Sequence, residues 1–160
     1  KSGDFETLTK HLTNLVDDDN KVWGEIRYCE NNTVNMILTM YKRRASQNGI
    51  SVKISAKASG SLAVPPQDLV VVIANLFENA INEVANLKSK EGYIDIQIKD
   101  SPERLLIKID NPCRANLTFD ENLYGIGIRS VISTTSKYEG MYDFTAEDGV
   151  FSAKIILNVK

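Results

Sequence analysis

Four asparagines recur in the middle of the chain, at positions 75, 79, 82 and 86. On a helix turning about 100° per residue, Asn75, Asn79, Asn82 and Asn86 fall within a sector of roughly 60°, flanked by Glu78 and Glu83. Carboxamide oxygens are neutral, hard donors. They can ligate Mg2+, which takes few protein oxygens and completes its shell with waters and substrate phosphates. Further on, Gly125-Ile126-Gly127-Ile128 reads as a glycine-rich turn leading into a helix. A turn of that kind lets backbone N–H groups approach phosphate oxygens at the positive end of a helix dipole. Asn111 adds a polar side chain at the end of an alternating apolar run. The three features together could make one nucleotide site; taken separately they are a solvated helix face and a glycine cap. The residues alone leave both readings open.

A site of this kind needs elements to hold it. Asp68 to Leu87 reads as one long amphipathic helix, with Leu69, Ile73, Leu76, Ala80, Val84 and Leu87 opposite the asparagines. Asparagine competes for nearby backbone groups, so four on one helical face depart from local propensity in the way functional sites do. Pro65 and Pro66 stand at its start, where a missing N–H costs nothing. Before it, a helix starts near Asn31 to Thr33, buries Val34, Ile37, Leu38, Tyr41 and Ala45, and closes at Asn48-Gly49. Ile50 to Ala56 alternates as a strand with one wet face. An earlier helix spans Asp4 to about Asp18 and carries the only histidine, His11, which reads as a partly exposed helix residue; Trp23 and Tyr28 lie in a connector.

Beyond the central helix, Tyr93 to Lys99 and Leu105 to Ile109 alternate as two antiparallel strands around a turn at Ser101-Pro102-Glu103. Asn111 to Tyr124 shows no periodicity and reads as a mobile loop. A third helix follows, with Ile128, Val131 and Ile132 inward. Tyr142 to Ala146 and Phe151 to Val159 form a hairpin around Asp148-Gly149. Three amphipathic helices covering one face of a mostly antiparallel mixed sheet predict an α+β two-layer sandwich.

The chain's 160 residues suit one domain with a proper core, and a formal charge of −2 offers no basic field for nucleic acid or an anionic membrane. Cys29 and Cys113 lack metal-ligand spacing and read as free thiols in a reducing compartment. No apolar segment is long enough to span a bilayer, so any membrane contact is expected through segments outside this chain.

The segment Asn75-Leu76-Phe77-Glu78-Asn79-Ala80-Ile81-Asn82-Glu83 resembles the N box of the gyrase, chaperone and histidine-kinase ATPase (GHKL) superfamily. Gly125-Ile126-Gly127-Ile128-Arg129 resembles its second glycine box, and Ile107 to Cys113 stands where the first belongs. The resemblance runs from about Asn31 to the C-terminus and implies the Bergerat ATP-binding fold. In detail it is nearest the peptide-sensing, quorum-sensing type of sensor histidine kinase, with Lys137-Tyr138-Glu139-Gly140 and Gly149-Val150-Phe151 suiting that group.

Carried over by position, the resemblance implies ATP and Mg2+ as ligands and Asn79 as the metal residue. Asn75 would help hold phosphate and metal, with Asn82 on the same face. Tyr124, Gly125, Ile126, Gly127, Ile128 and Arg129 would line the phosphates. Asn111 takes the place of an adenine-reading aspartate; counting with Asp110 would keep an aspartate, but alternation puts Asp110 on the face of Lys108.

Three departures stand out. Cys113 and Ala115 replace glycines of the first box, Asn82 replaces a frequently basic residue, and the loop from Arg114 to Tyr124 is short for a lid, with Arg114 or Arg129 available as a substitute charge. Hydrolysing relatives carry a glutamate at the position of Asn75, and a carboxamide cannot act as a general base. Glu78 could at most assist a histidine nucleophile. The expected activity is therefore transfer of the γ-phosphoryl group to a histidine on a dimerisation domain, then to a response regulator, in a homodimeric sensor anchored in the cell membrane with this domain cytoplasmic. Residues 1–28 would be the remnant of the second dimerisation helix and connector, and residues 29–160 the catalytic domain. An anti-sigma-type serine kinase of the same fold and an interaction module without turnover are the alternatives.

Overall fold

In the computed structural model, residues 26–87, 91–115 and 124–159 are described. The expected helix from Asp4 to Asp18, His11, Trp23 and the middle of the loop before Tyr124 lie outside them.

Helix α1 spans Asn32–Gln47 and begins where the Asn31 side chain accepts the Val34 N–H at 3.0 Å. Such a cap satisfies one of the helix's orphan donors. Gly49, at φ 70°, turns the chain out of the helix into β1, Ser51–Lys57. Helix α2 covers Pro66–Asn86, so it starts two residues before the expected Asp68, with Pro66 inside its first turn. Strands β2, Tyr93–Asp100, and β3, Arg104–Pro112, follow. Helix α3, Ile126–Lys137, leads to β4, Met141–Glu147, and β5, Val150–Asn158.

The sheet order is β1-β2-β3-β5-β4, with β1 and β2 parallel and every other pair antiparallel. The parallel pair requires a crossover, and α2 supplies it. Between β4 and β5 the Asp148-Gly149 turn has φ of 52° and 75°, the left-handed pair that a two-residue hairpin demands. This is the expected α+β sandwich: a five-stranded mixed sheet with α1, α2 and α3 over one face.

Helix α2 lies between its two neighbours and above β2 and β3. That position explains why it buries more than one stripe: Val70, Val72, Phe77 and Ile81 are enclosed along with Leu69, Ile73, Leu76, Ala80 and Val84. Phe77 stacks on Tyr41 of α1, ring centroids 5.3 Å apart. Under the helices, Ile94, Ile96, Ile98, Leu105, Ile107, Ile109, Ala153, Ile155 and Leu157 form the sheet's half of the core.

The end of β3 also differs from the sequence expectation. Strand β3 does not stop at Ile109 but continues through Asn111 and Pro112, which pair with Phe151 and Val150 of β5. The register of β2 with β3 ends at Asp110, so Pro112 extends the strand against β5 alone. A proline is tolerated at such a half-paired strand end, and apolar alternation could not reveal it.

Candidate functional site

The asparagine stripe divides once α2 is packed. Asn82 and Asn86 are exposed, while Asn75 and Asn79 are half-buried on the side of α2 that meets α3 at its first turn. The Asn75 Nδ2 donates to the Val71 carbonyl at 2.7 Å, one turn back, which leaves Oδ1 facing outward from the helix. That oxygen meets Gly127. A Cβ built on Gly127 would stand 2.8 Å from Asn75 Oδ1, so only glycine allows α3 to come this close.

Gly125 is the N-cap of α3 at φ −67°, with no side-chain cap. The first intrahelical bond runs from the Arg129 N–H to the Gly125 carbonyl at 3.1 Å. The amides of Ile126, Gly127 and Ile128 therefore precede the helical ladder and point out of its N-terminus, the arrangement that binds anions. Among the described residues, a Cβ on Gly125 would meet nothing within 4 Å. The helix starts one residue sooner than the expected turn, which puts Gly127 inside its first turn. Ile126 is 87% exposed, whereas the Ile128 side chain is buried in the core and can offer a ligand only its backbone.

Tyr124 is half-buried with its ring edge-on to Phe144 at 5.7 Å, and its carbonyl accepts from Arg129 Nε at 3.1 Å. Arg129 thus closes the turn at the head of α3. Arg114 instead lies 3.5 Å from Glu83 Oε1, an ion pair without hydrogen-bond geometry.

Asn111 is fully buried on the helix-covered face, in line with Ile107 and Ile109. Its Nδ2 donates to the Pro112 carbonyl at 2.9 Å, and its Oδ1 has no partner. An orphaned buried acceptor costs about 1–3 kcal/mol, so its presence points to a missing donor. Asp110 is on the opposite face, paired with Lys108 at 2.8 Å. Next along the chain, Cys113 is buried and its N–H donates to the Gly149 carbonyl at 2.9 Å. Burial, reinforced by the nearby Glu83 charge, pushes its thiol above the ordinary value of 9.0.

Glu78 faces α1: it accepts from the Tyr41 hydroxyl at 3.3 Å and is paired with Arg44. Burial first, and then the Glu78 charge, raise the Tyr41 phenol, so the phenol remains a donor to the carboxylate. Asn75 and Gly127 are brought together, with Asn79 one turn further along α2 and Gly125 capping α3; Asn111 and Cys113 stand at the end of β3, beneath α2; Glu78 turns aside. Sequence reasoning missed the contacts of Tyr41 and Arg44 with Glu78 and of Tyr138 with Asp68. Asp68 lies seven residues before Asn75, on the same helical face, and that spacing was the available signal.

Comparison with known proteins adds that residues 64–158 match the model of the GHKL domain family. The chain belongs to the GHKL family. This GHKL domain is 32% identical over 120 residues to a probable C4-dicarboxylate sensor kinase of Bacillus subtilis (strain 168); the match takes in 72% of the chain and 22% of that relative. The histidine kinase AdeS of Acinetobacter baumannii has a similar structure, with TM-score 0.64 and 16% identity over 80% of this chain and 64% of that one. So does the catalytic domain of histidine kinase ThkA, with TM-score 0.64 and 12% identity over 79% and 91% of the two chains. The fold of this GHKL domain is that of histidine-kinase catalytic domains.

Proposed function

We propose that this GHKL domain is the ATP-binding catalytic domain of a sensor histidine kinase, transferring the γ-phosphoryl group of ATP to a histidine of the same protein's dimerisation domain. The observation that carries the reading is the Asn75 carboxamide set against Gly127 at the open N-terminus of α3. Amides of Ile126, Gly127 and Ile128 bind the phosphates, and Arg129 holds the turn that presents them. Asn111 offers its unpartnered oxygen to a buried donor, which the 6-amino group of adenine supplies and guanine does not.

The donor set suits Mg2+. Among the described residues no cluster of three or more His, Cys, Asp or Glu side chains could cage a metal, and a phosphate-bound Mg2+ needs only one or two protein oxygens. Asn79 would hold it, with Asn75 one turn away, and the ion would neutralise phosphate charge. Asn82, exposed on the rim, contacts the outer phosphate or its waters.

Phosphoryl transfer depends on positioning and charge neutralisation more than on covalent help from the protein. A neutral residue at position 75 leaves water unactivated, so the bound γ-phosphoryl waits for a better nucleophile. The imidazole nitrogen forms the new P–N bond as the P–O bond to ADP breaks, and the imidazolium then releases a proton. For Glu78 to orient that imidazole, its carboxylate would have to leave Tyr41 and Arg44, which hold it toward α1. The whole protein would act as a homodimer and pass the phosphoryl group to a response regulator. Its anchoring in the cell membrane belongs to segments outside this domain, since no helix among the described residues is long and apolar enough to cross a bilayer. A peptide stimulus is supported by the likeness of the segments at Lys137 and Gly149 to peptide-sensing kinases; the Bacillus relative is named for C4-dicarboxylates.

The test is calorimetric titration of the chain with Mg-ATP, followed by incubation with its dimerisation helices and labelled ATP. Nucleotide binding, label on the helix histidine and negligible phosphate release are expected. Absence of binding at millimolar nucleotide, or steady hydrolysis without protein labelling, overturns the reading.

A further inference from the structure

At the end of α2 away from Asn79, Asp68 is buried among the helices with both carboxylate oxygens engaged by the end of α3. The Tyr138 hydroxyl donates to Oδ2 at 2.6 Å, and Lys137 Nζ reaches Oδ1 at 3.3 Å. The two partners differ in weight: the Lys137 side chain is 61% exposed and its pair is screened, while the Asp68 side chain is 12% exposed. Tyr138 is half-buried, and its phenol is raised first by burial and then by Asp68, which keeps it a donor. The carboxylate lies in the first turn of α2 and the lysine in the last turn of α3, so each charge also suits the dipole of its own helix.

Helices α2 and α3 run antiparallel, with Asp68 against Tyr138 at one end and Asn75 against Gly127 at the other. Interdigitated apolar side chains hold the two helices together, and the short Tyr138–Asp68 hydrogen bond adds a directional tie at one end. Eleven residues, about 16 Å of helix, separate Tyr138 from Gly127. A continuous twelve-residue helix carries a displacement at one end to the other. At the Gly127 end there is no slack toward α2, because a Cβ there would already be 2.8 Å from Asn75 Oδ1.

We propose that Asp68 and Tyr138 are positioning residues for the phosphate site: their hydrogen bond sets where α3 sits along α2, and so where the Ile126 to Ile128 amides meet a nucleotide. The inference rests on the reading of that helix end as the phosphate site. It separates Asp68 from the fastenings that tie α3 to the sheet, namely Asn158 Nδ2 donating to the Glu139 carbonyl and Gly140 lying against the Ile156 carbonyl. Those tie the end of α3 to β5; the Asp68 contact ties it to α2.

Tyr138→Phe removes the hydroxyl and keeps the ring. Hydrogen bonds to charged groups are strong enough to shift an equilibrium by about tenfold or more. Calorimetry with Mg-ATP is expected to show about tenfold weaker binding for Tyr138→Phe, with adenosine binding changed less than twofold. Amide hydrogen exchange at Arg129, the first bonded amide of α3, is expected to quicken. Asp68→Asn, which keeps an oxygen for Tyr138 but removes the charge, should weaken Mg-ATP binding less than Tyr138→Phe does. Asn31→Ala, which uncaps α1, should lower the melting temperature without altering the ATP-to-adenosine ratio. A lower melting temperature for Tyr138→Phe with an unchanged ratio and unchanged Arg129 exchange would show a merely structural role and overturn the proposal. If the wild-type chain binds no ATP, the phosphate-site reading fails by itself, and exchange at Arg129 still decides whether the far-end hydrogen bond positions the helix.

Discussion

Gly127→Ala puts the contact between α2 and α3 to a quantitative test. The added Cβ would arrive 2.8 Å from Asn75 Oδ1, 3.5 Å from Cγ and 3.6 Å from the Asn75 Cβ. Ordinary contact needs about half an ångström more than the shortest of these. Two relaxations can supply it. Asn75 can swing away, which forfeits its bond to the Val71 carbonyl, a net loss of about 1 kcal/mol. Alternatively α3 can move, which strains packed side chains at about 1–3 kcal/mol. Alanine recovers up to about 1 kcal/mol of helix propensity, less in a first turn than in a helix interior. The fold should therefore lose about 1–2 kcal/mol at most and remain intact at room temperature.

Nucleotide binding has no such compensation, because one relaxation turns the Asn75 carboxamide out of the site and the other displaces the phosphate-facing amides. A loss of about 1–2 kcal/mol in binding corresponds to roughly five- to thirtyfold weaker Mg-ATP affinity. Calorimetry with Mg-ATP and with adenosine, alongside thermal melts, is the assay, and adenosine should be nearly unaffected. Gly125→Ala is the companion variant. Among the described residues its Cβ would meet no atom within 4 Å, and its φ of −67° suits alanine, so a loss of ATP affinity with an unchanged melting temperature there reports the ligand. Gly127→Ala binding ATP within twofold of wild type, or losing adenosine equally, would refute the reasoning.

Asn79→Ala should weaken ATP binding in Mg2+ far more than in EDTA, and equal losses in the two titrations would remove Asn79 from the metal. Asn111→Leu removes both a buried orphan oxygen and the donor to the Pro112 carbonyl, opposing effects that should leave stability within about 1 kcal/mol, while the preference for ATP over GTP collapses; retained preference in competition binding would reassign base reading. The Cys29, Cys113, Tyr41 and Tyr138 acids are all raised in the fold, chiefly by burial. The unfolded chain ionises them first, so their stabilising effect is complete below the ordinary thiol value of 9.0 and is lost as pH climbs past it. Urea melts at pH 7.5 and pH 10 should show lower stability at the higher pH, and equal midpoints would contradict the sign.

Local physics made much of the scaffold readable. The Asn31 cap, the left-handed Gly49, Pro66 in a first turn and the Asp148-Gly149 hairpin each have a chemical reason confined to a few residues. Alternation placed Asn111 on the face of Ile109 and Asp110 on that of Lys108, which is how the strand lies. What periodicity could not carry was pairing at a distance. The partners of Glu78 lie 34 and 37 residues away on α1, and those of Asp68 lie 69 and 70 residues away on α3. The end of β3 was missed for a related reason: Asn111 and Pro112 are poor strand formers held by the cross-strand partners Phe151 and Val150.

The most informative consequence of packing is at Asn75. Its amide has two chemically different ends, and the fold uses both: the NH2 group is tied to the Val71 carbonyl, and the oxygen is turned toward the head of α3. A carboxylate in the same rotamer would set an oxygen against the Val71 carbonyl, 2.7 Å away, with no proton between them. The surroundings are thus built for a donor on one side and an acceptor on the other, which only a carboxamide provides when deprotonated acids are the alternative. Neutrality at position 75 is the carboxamide's own property, and it favours a site that stores a phosphoryl group for a protein nucleophile over one that spends it on water.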